Sequence, residues 1–239
     1  MKNLLVAQSG GPTSAINATL AGVVENALSS PSVDRIYGSI NGIQGVLTEN
    51  LIDLKTKLTN VSELDLLCQT PASALGSCRV KLKDPAVCAD EYETIISVLR
   101  KYNIDCFIYI GGNDSMDTVD KLSKYLNDKG ITDIAVVGAP KTIDNDLCGT
   151  DHCPGFGSAA KYIGTTFAEL ERDCHVYAAK AVTIVEIMGR DAGWLTAASC
   201  LARANGVKGP DFIYLCEVPF SMDTFLKDYR KRIQTADAI

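Results

Sequence analysis

The sequence has no long hydrophobic run. No stretch of its 239 residues approaches the roughly 18 apolar residues that a membrane-spanning helix needs. The N-terminal Leu4-Leu5-Val6-Ala7 is too short for the apolar region of a signal peptide and soon meets a Gly-Gly-Pro turn. A cytoplasmic protein with no membrane partner is expected. A broad cationic face is lacking too: the net charge is -6 and only Arg230-Lys231-Arg232 clusters, so no nucleic acid partner is expected. Histidine is scarce, with two in the chain, and His152, Cys148 and Cys153 make no tetrahedral ligand set, which argues against a zinc-type centre. The nine cysteines include no Cys-x-x-Cys pair and no close-set framework, and are expected as reduced thiols. The single tryptophan, Trp194, falls in a helical apolar run and is expected in the core.

What is present is enough apolar residue to fold. Hydrophobic residues make up 46% of the chain, which suffices for one large domain or two compact ones. Residues 3–8, 34–40, 105–110, 134–138, 180–187 and 211–216 are short apolar, mostly β-branched runs. Between most of them lie stretches of helical period: 15–29, 86–102, 115–129, 158–174, 191–204 and 221–233, the last with Ser221 as N-cap. Such alternation predicts an α/β fold with mainly parallel sheets covered on both faces. Ligands of these sheets sit beyond the carboxyl ends of the strands, so the residues that follow each strand carry the functional information.

Strand 3–8 runs into Ser9-Gly10-Gly11-Pro12-Thr13, where paired glycines let backbone N–H groups approach a ligand; the pattern fits a phosphate corner and equally a plain strand-to-helix turn. Strand 105–110 ends in Gly111-Gly112-Asn113-Asp114-Ser115, in which Asp114, taken alone, reads first as a helix cap. Strand 134–138 leads to Lys141-Thr142-Ile143-Asp144-Asn145-Asp146, with two carboxylates, an amide, a hydroxyl and an ammonium in six residues. Phosphoryl transfer needs a base for the acceptor hydroxyl and cations over the phosphoryl oxygens, and this segment holds both. Met188-Gly189-Arg190, Glu217 and Arg79 carry groups for phosphate or sugar hydroxyls, although each singly reads as a surface ion-pair partner.

Taken together, Ser-Gly-Gly at 9–11, Gly-Ser-x-Arg at 76–79, Gly-Gly-x-Asp-Ser at 111–115, Thr-Ile-Asp-Asn-Asp at 142–146, Met-Gly-Arg at 188–190 and Glu217 resemble the phosphofructokinase family in order and spacing. The resemblance covers essentially the whole chain. It implies a phosphofructokinase-like fold of two domains: residues 1–142 for the phosphoryl donor and Mg²⁺, and residues 143–239 for the sugar phosphate. It implies transfer to the 1-hydroxyl of fructose 6-phosphate, giving fructose 1,6-bisphosphate in glycolysis or gluconeogenesis, by a homo-oligomer, dimeric or tetrameric. Asp144 matches the proton acceptor, and Gly11, Arg79, Gly112 and Ser115 fall on the donor side. Thr142, Ile143, Asp146, Met188, Gly189, Arg190 and Glu217 match positions around the sugar phosphate.

Two positions bear on the donor. ATP-using members carry glycine where this chain has Asp114 and Lys141, and the pattern resembles the pyrophosphate-dependent branch. A carboxylate at Asp114 repels a nucleotide α-phosphate, while pyrophosphate has no third phosphate to clash. Lys141 adds charge over the transferring group. The branch also implies a reversible reaction.

Asn113 stands where the family more usually has an aspartate associated with Mg²⁺; its amide oxygen brings no charge, which leaves the metal mostly to donor phosphates and water. Ala181 falls where ATP-using members present an arginine to a neighbouring subunit. Family members also continue past the counterpart of Ile239, so the resemblance implies a chain incomplete at its C-terminus, with sheet edges left open. Two alternatives stand beside the leading expectation: an ATP-dependent enzyme that tolerates Asp114 and Lys141, and a truncated, non-catalytic sugar-phosphate-binding or regulatory subunit. A dinucleotide-binding oxidoreductase is set aside, because the first glycine loop lacks the required spacing and no acidic residue ends strand 34–40.

Overall fold

Apolar residues on both faces of a strand call for cover on both sides, and β1 (Lys2–Gln8) has it. Leu4 and Val6 pack with Ile16, Leu20 and Val24 of α1 (Ile16–Ser29) and with Leu64 and Leu67 of α3 (Val61–Gln69). Leu5 and Ala7 face the other way, onto Tyr92, Ile95 and Leu99 of α4 (Ala89–Lys101) and Leu122 and Leu126 of α5 (Asn113–Asp128). Period-two alternation along one buried strand thus builds two cores. The computed structural model describes residues 2–176 and 182–235, and the chain divides into two compact units, Met1–Thr142 and Ile143–Ile239.

The first unit holds a five-stranded sheet in the order β3-β2-β1-β4-β5. Its other strands are β2 (Val33–Ser39), β3 (Leu51–Asp53), β4 (Ile104–Gly111) and β5 (Ala135–Pro140). All pairings are parallel except that of β2 with β3. The strands expected at 3–8, 34–40, 105–110 and 134–138 are present within a residue or two. Absent from the sequence expectation are α2 (Gly42–Leu47), β3 and α3. The first two are short, and α2 holds two glycines. The third carried a legible signal: Asn60 accepts from Glu63 N at 3.0 Å while Glu63 Oε2 accepts from Thr59 N at 2.6 Å, a capping box one residue displaced.

Register positions the chemistry. Gln8 lies beside Ile110, and Gly111 beside Pro140, so the loops after β1, β4 and β5 leave from three neighbouring strand ends.

The second unit contains α6 (Phe156–Cys174), α7 (Trp194–Ala198) continuing into a 3₁₀ turn (Ser199–Asn205), and α8 (Met222–Thr235). The expected helix 191–204 is therefore shorter and split. Ser221 Oγ accepts from Thr224 N at 3.3 Å, as an N-cap of α8 does. Among the described residues, the strands expected at 180–187 and 211–216 join no ladder over 182–187 and 211–216; 180 and 181 lie outside the described residues, with the expectation for Ala181. Apolar, β-branched composition favours a pleated surface, but a strand exists only where a partner takes its N–H and C=O groups. Without one, Val182 and Ile184 are 55% and 83% exposed. The two segments border an apolar cleft of about 610 Å³ with Phe167, Leu170, Phe212 and Phe225 in its wall. Trp194 is 54% exposed and lies edge-on to Phe156, correcting the expectation of a core tryptophan; Leu195 and Ala198 take the buried positions of α7. All nine cysteines are free thiols. Among the described residues no helix is long and apolar enough to cross a membrane.

Candidate active site

The first unit gathers its polar residues at the ends of β1, β4 and β5. Ser9 N donates to the Ile110 carbonyl at 2.9 Å, which ties the first glycine loop to β4 as it leaves the sheet. Gly10 has φ +77°, a left-handed turn that favours glycine. A Cβ built there would lie 3.5 Å from Lys141 Nζ and 3.6 Å from Gly112 N, so the two glycine turns and the lysine converge on one small space. Lys141 is 4% exposed; its N–H bonds the Gly111 carbonyl at 2.9 Å and its ammonium donates to the Gly11 carbonyl. A buried ammonium bonded to one glycine turn, with the Gly112 N–H on the same small space, is a fixed positive charge beside a backbone donor, an arrangement that suits a phosphate. In the same loop, Thr13 Oγ1 is buried with no hydrogen-bond partner among the described residues, whereas buried hydroxyls nearly always have one.

Helix α5 opens from Gly112, which is its N-cap and supplies no side chain to bond the first turn. Asp114 is therefore not the cap that its position in isolation suggested. It is the second helical residue, its side chain 76% exposed, and it meets Lys81 Nζ at 3.2 Å. Ser115 is buried beneath it. Arg79 is exposed, at the end of a segment sewn to the glycine loop: Cys78 O accepts from Ser9 Oγ at 3.1 Å and from Gly10 N at 3.4 Å. The first unit thus brings together Gly11, Gly112, Asn113, Asp114, Ser115 and Lys141, with Arg79 on the adjoining segment.

A buried polar network fixes this corner and was not anticipated. Gln8, fully buried, donates to Ile16 O and Asn17 Oδ1 at 3.0 Å each and accepts from Ser73 Oγ and Leu75 N at 2.9 Å each. Every hydrogen-bonding position of its amide is used, so the loop 73–76 is locked to β1 and α1. The signal in the sequence was an amide closing the apolar run Leu4-Leu5-Val6-Ala7.

The loop 141–146 runs across the boundary of the units. In the second unit Asn145 is 5% exposed, with φ +57°; its Nδ2 donates to Asp151 O at 3.0 Å and its Oδ1 accepts from Cys153 N at 2.8 Å. That clamp fixes the backbone between Asp144, half-buried with Oδ1 shielded from solvent, and Asp146, which is exposed. Thr142 and Ile143 are half-buried.

The remaining predicted residues lie on two segments of the second unit, 188–190 and Glu217. Met188 is 69% exposed, and Arg190 Nε contacts its own neighbour Asp191 at 3.1 Å, both side chains more than four-fifths exposed. Glu217 Oε1 accepts from Gly193 N at 2.7 Å, and a Cβ at Gly193 would lie 2.5 Å from Oε2, so a side chain there would displace the carboxylate. The Gly193 N–H holds the Glu217 carboxyl below its ordinary range. The same hydrogen bond ties Glu217 to the segment that carries Arg190, three residues before Gly193.

No group of three or more His, Cys, Asp or Glu is placed to hold a metal among the described residues. At the second glycine turn the Asn113 amide and the Asp114 carboxylate, at the start of α5, offer side-chain oxygens. One or two protein oxygens with the rest supplied by phosphate and water is the usual protein share for Mg²⁺, so this set fits a donor-borne ion and not an all-protein cage.

Residues 3–239 match the family model described as phosphofructokinase. The chain belongs to the phosphofructokinase family. It is 44% identical over 234 residues to the pyrophosphate--fructose 6-phosphate 1-phosphotransferase of Xanthomonas campestris pv. campestris, covering 97% of this chain and 55% of that protein. The crystal structure of a pyrophosphate-dependent phosphofructokinase from Nitrosospira multiformis superposes with a TM-score of 0.87 at 40% identity, over 98% of this chain and 57% of the other. An ATP-dependent 6-phosphofructokinase of Histophilus somni is more distant, 32% identical over 98% of this chain and 65% of its own length. The chain spans about half the length of the pyrophosphate-type relatives it matches.

Proposed function

We propose that the chain carries the donor site and part of the sugar-phosphate site of a pyrophosphate-dependent phosphotransferase that converts fructose 6-phosphate reversibly to fructose 1,6-bisphosphate. The observation that carries this is the donor turn: buried Lys141 over Gly10 and Gly112, with the Asp114 carboxylate exposed one helical position beyond Asn113. In this reading the two phosphates of pyrophosphate occupy the glycine corner beside the fixed cation. A longer polyphosphate meets the carboxylate.

In this reading residues 1–142 bind the donor and residues 143–239 bind the sugar phosphate. Asp144 takes the proton of the 1-hydroxyl as its oxygen bonds to the donor phosphorus; the bridging P–O bond of pyrophosphate breaks and inorganic phosphate leaves. Lys141 balances charge on the transferring and leaving groups, and Gly11, Gly112, Ser115 and Arg79 orient the donor. Thr142, Ile143 and Asp146 flank the acceptor, and Met188, Gly189, Arg190 and Glu217 hold the sugar phosphate. Mg²⁺ bound with the donor supplies charge neutralisation, with Asn113 or Asp114 lending an oxygen. The setting is the cytoplasm, the pathway glycolysis or gluconeogenesis, and the assembly a homo-oligomer, dimer or tetramer.

The test is formation of fructose 1,6-bisphosphate with Mg²⁺ and either pyrophosphate or ATP. Turnover with pyrophosphate alone supports the reading, and turnover with ATP alone overturns the donor assignment. Asp144→Ala should cost several orders of magnitude in kcat with fructose 6-phosphate binding retained; an equal loss in both would remove Asp144 as the base. A second reading, sugar-phosphate binding without turnover, is favoured by one observation: 182–187 and 211–216, which lead to Arg190 and Glu217, join no ladder among the described residues. Fructose 6-phosphate binding with neither donor turned over would select it.

A further inference from the structure

Residues 78–83, Cys-Arg-Val-Lys-Leu-Lys, form an extended segment that joins no ladder, and its burial alternates. Cys78 and Leu82 are buried and Val80 packs against the same core, while Arg79, Lys81 and Lys83 are exposed. Alternation with period two puts the three cations on one side of a strap whose other side is anchored in the protein. The strap is fixed along its length. Cys78 O is bonded by Ser9 and Gly10, Leu82 O accepts from Lys121 Nζ at 3.1 Å, and Lys83 O accepts from the Tyr92 hydroxyl at 2.6 Å. Of the three cations, Lys81 is the one that reaches across to Asp114, at 3.2 Å.

That contact places an exposed ammonium on the residue that, in the proposed function, limits the length of the donor. We propose that Lys81 is a donor-specificity residue: Asp114 holds its ammonium at the rim of the glycine turns, and the ammonium passes from the carboxylate to the distal phosphate when pyrophosphate binds. The inference rests on the phosphotransfer reading of the same site. Both partners are well exposed, 59% and 76%, so the pair is weak and solvent-screened. A donor with several negative charges on two phosphates competes for the ammonium better than a single carboxylate does. Lysine suits the exchange, being a compact charge with three rotatable donors on a flexible stem, whose root at Lys81 is set by the strap.

The experiment is calorimetric titration of the chain with inorganic pyrophosphate in the presence of Mg²⁺, and separately with fructose 6-phosphate. Wild type is compared with Lys81→Ala, Lys81→Arg and Lys83→Ala, and circular dichroism checks that each is folded. Lys81→Ala should weaken pyrophosphate binding roughly tenfold, the order expected for loss of one charge-assisted contact, and leave fructose 6-phosphate unchanged. Lys81→Arg should restore most of the affinity, and Lys83→Ala, on the same face without the Asp114 contact, should stay within about twofold of wild type. Wild-type binding of pyrophosphate with an unaltered Lys81→Ala, or an equal loss in Lys83→Ala, overturns the inference and leaves the donor-site reading standing. No pyrophosphate binding by wild type overturns both.

Discussion

In the first unit each apolar run expected as a strand has found a ladder, whereas in the second unit 182–187 and 211–216 have similar composition and join none among the described residues. The consequence is chemical as well as architectural. Residues that follow β1, β4 and β5 are positioned by register: Ser9, Gly112 and Lys141 leave from adjacent strand ends, and the glycine turns and lysine meet. Residues that follow the unpaired segments have no such frame. Arg190 pairs with its own neighbour, and Glu217 is held by one backbone N–H. Strand pairing is therefore what converts a list of polar residues after apolar runs into a site.

The largest expected difference between the units comes from truncating one apolar side chain in each. Phe107, fully buried in the first, should cost about 3–5 kcal/mol when replaced by alanine. Ile184→Ala, 83% exposed in the second, should stay within about 0.5 kcal/mol. Denaturant unfolding followed by circular dichroism measures both, and a cost at Ile184 comparable to that at Phe107 would mean that the apolar cleft is covered in solution. Hydrogen exchange sharpens the contrast without mutation. Amides of β1 and β4 should exchange roughly a thousandfold more slowly than those of 182–187, since ladder amides open only with the larger unit. Similar rates would contradict the difference.

How much of this was legible in the sequence follows the same division. The ladder strands were read within a residue or two because both core faces of Leu4-Leu5-Val6-Ala7 are apolar and the helices that cover them keep a regular period. Propensity alone could not distinguish 182–187 from β5, since pairing is a property of the partner and not of the segment. The glycine turns, Lys141 and Asp114 were legible as residues, but their convergence needed register. Lys81 was overlooked although the alternation Arg79-Val80-Lys81-Leu82-Lys83 carried the signal. Asn145 was legible only as an amide between two aspartates; that it clamps the loop 145–153 depends on a left-handed backbone that sequence does not display.

Smaller effects refine the picture of the second unit. Asn145→Ala removes two hydrogen bonds from a buried position and should destabilise the loop by about 1–3 kcal/mol, with faster exchange at Cys153 N–H as its local mark. An unchanged Cys153 amide would show that the clamp is dispensable. Smaller still is the contact of Glu217. Its carboxyl is held below the ordinary value of 4.5 by the Gly193 N–H, so the stabilisation is fully present above that value and is lost as pH falls through the lower, folded one. The Gly193 amide resonance should titrate with a midpoint under 4.5, and a midpoint at or above it would mean that the hydrogen bond is not maintained.

In the proposed function, selection of a two-phosphate donor by the first unit rests on Lys141 and Asp114. Its most direct test is competitive binding of Mg²⁺-pyrophosphate and Mg²⁺-ATP to the chain, before and after Asp114→Gly and Lys141→Gly are combined. The account predicts that the unaltered chain binds pyrophosphate and excludes ATP, and that the double variant loses affinity for pyrophosphate while admitting ATP. ATP bound by the unaltered chain as tightly as pyrophosphate would contradict it.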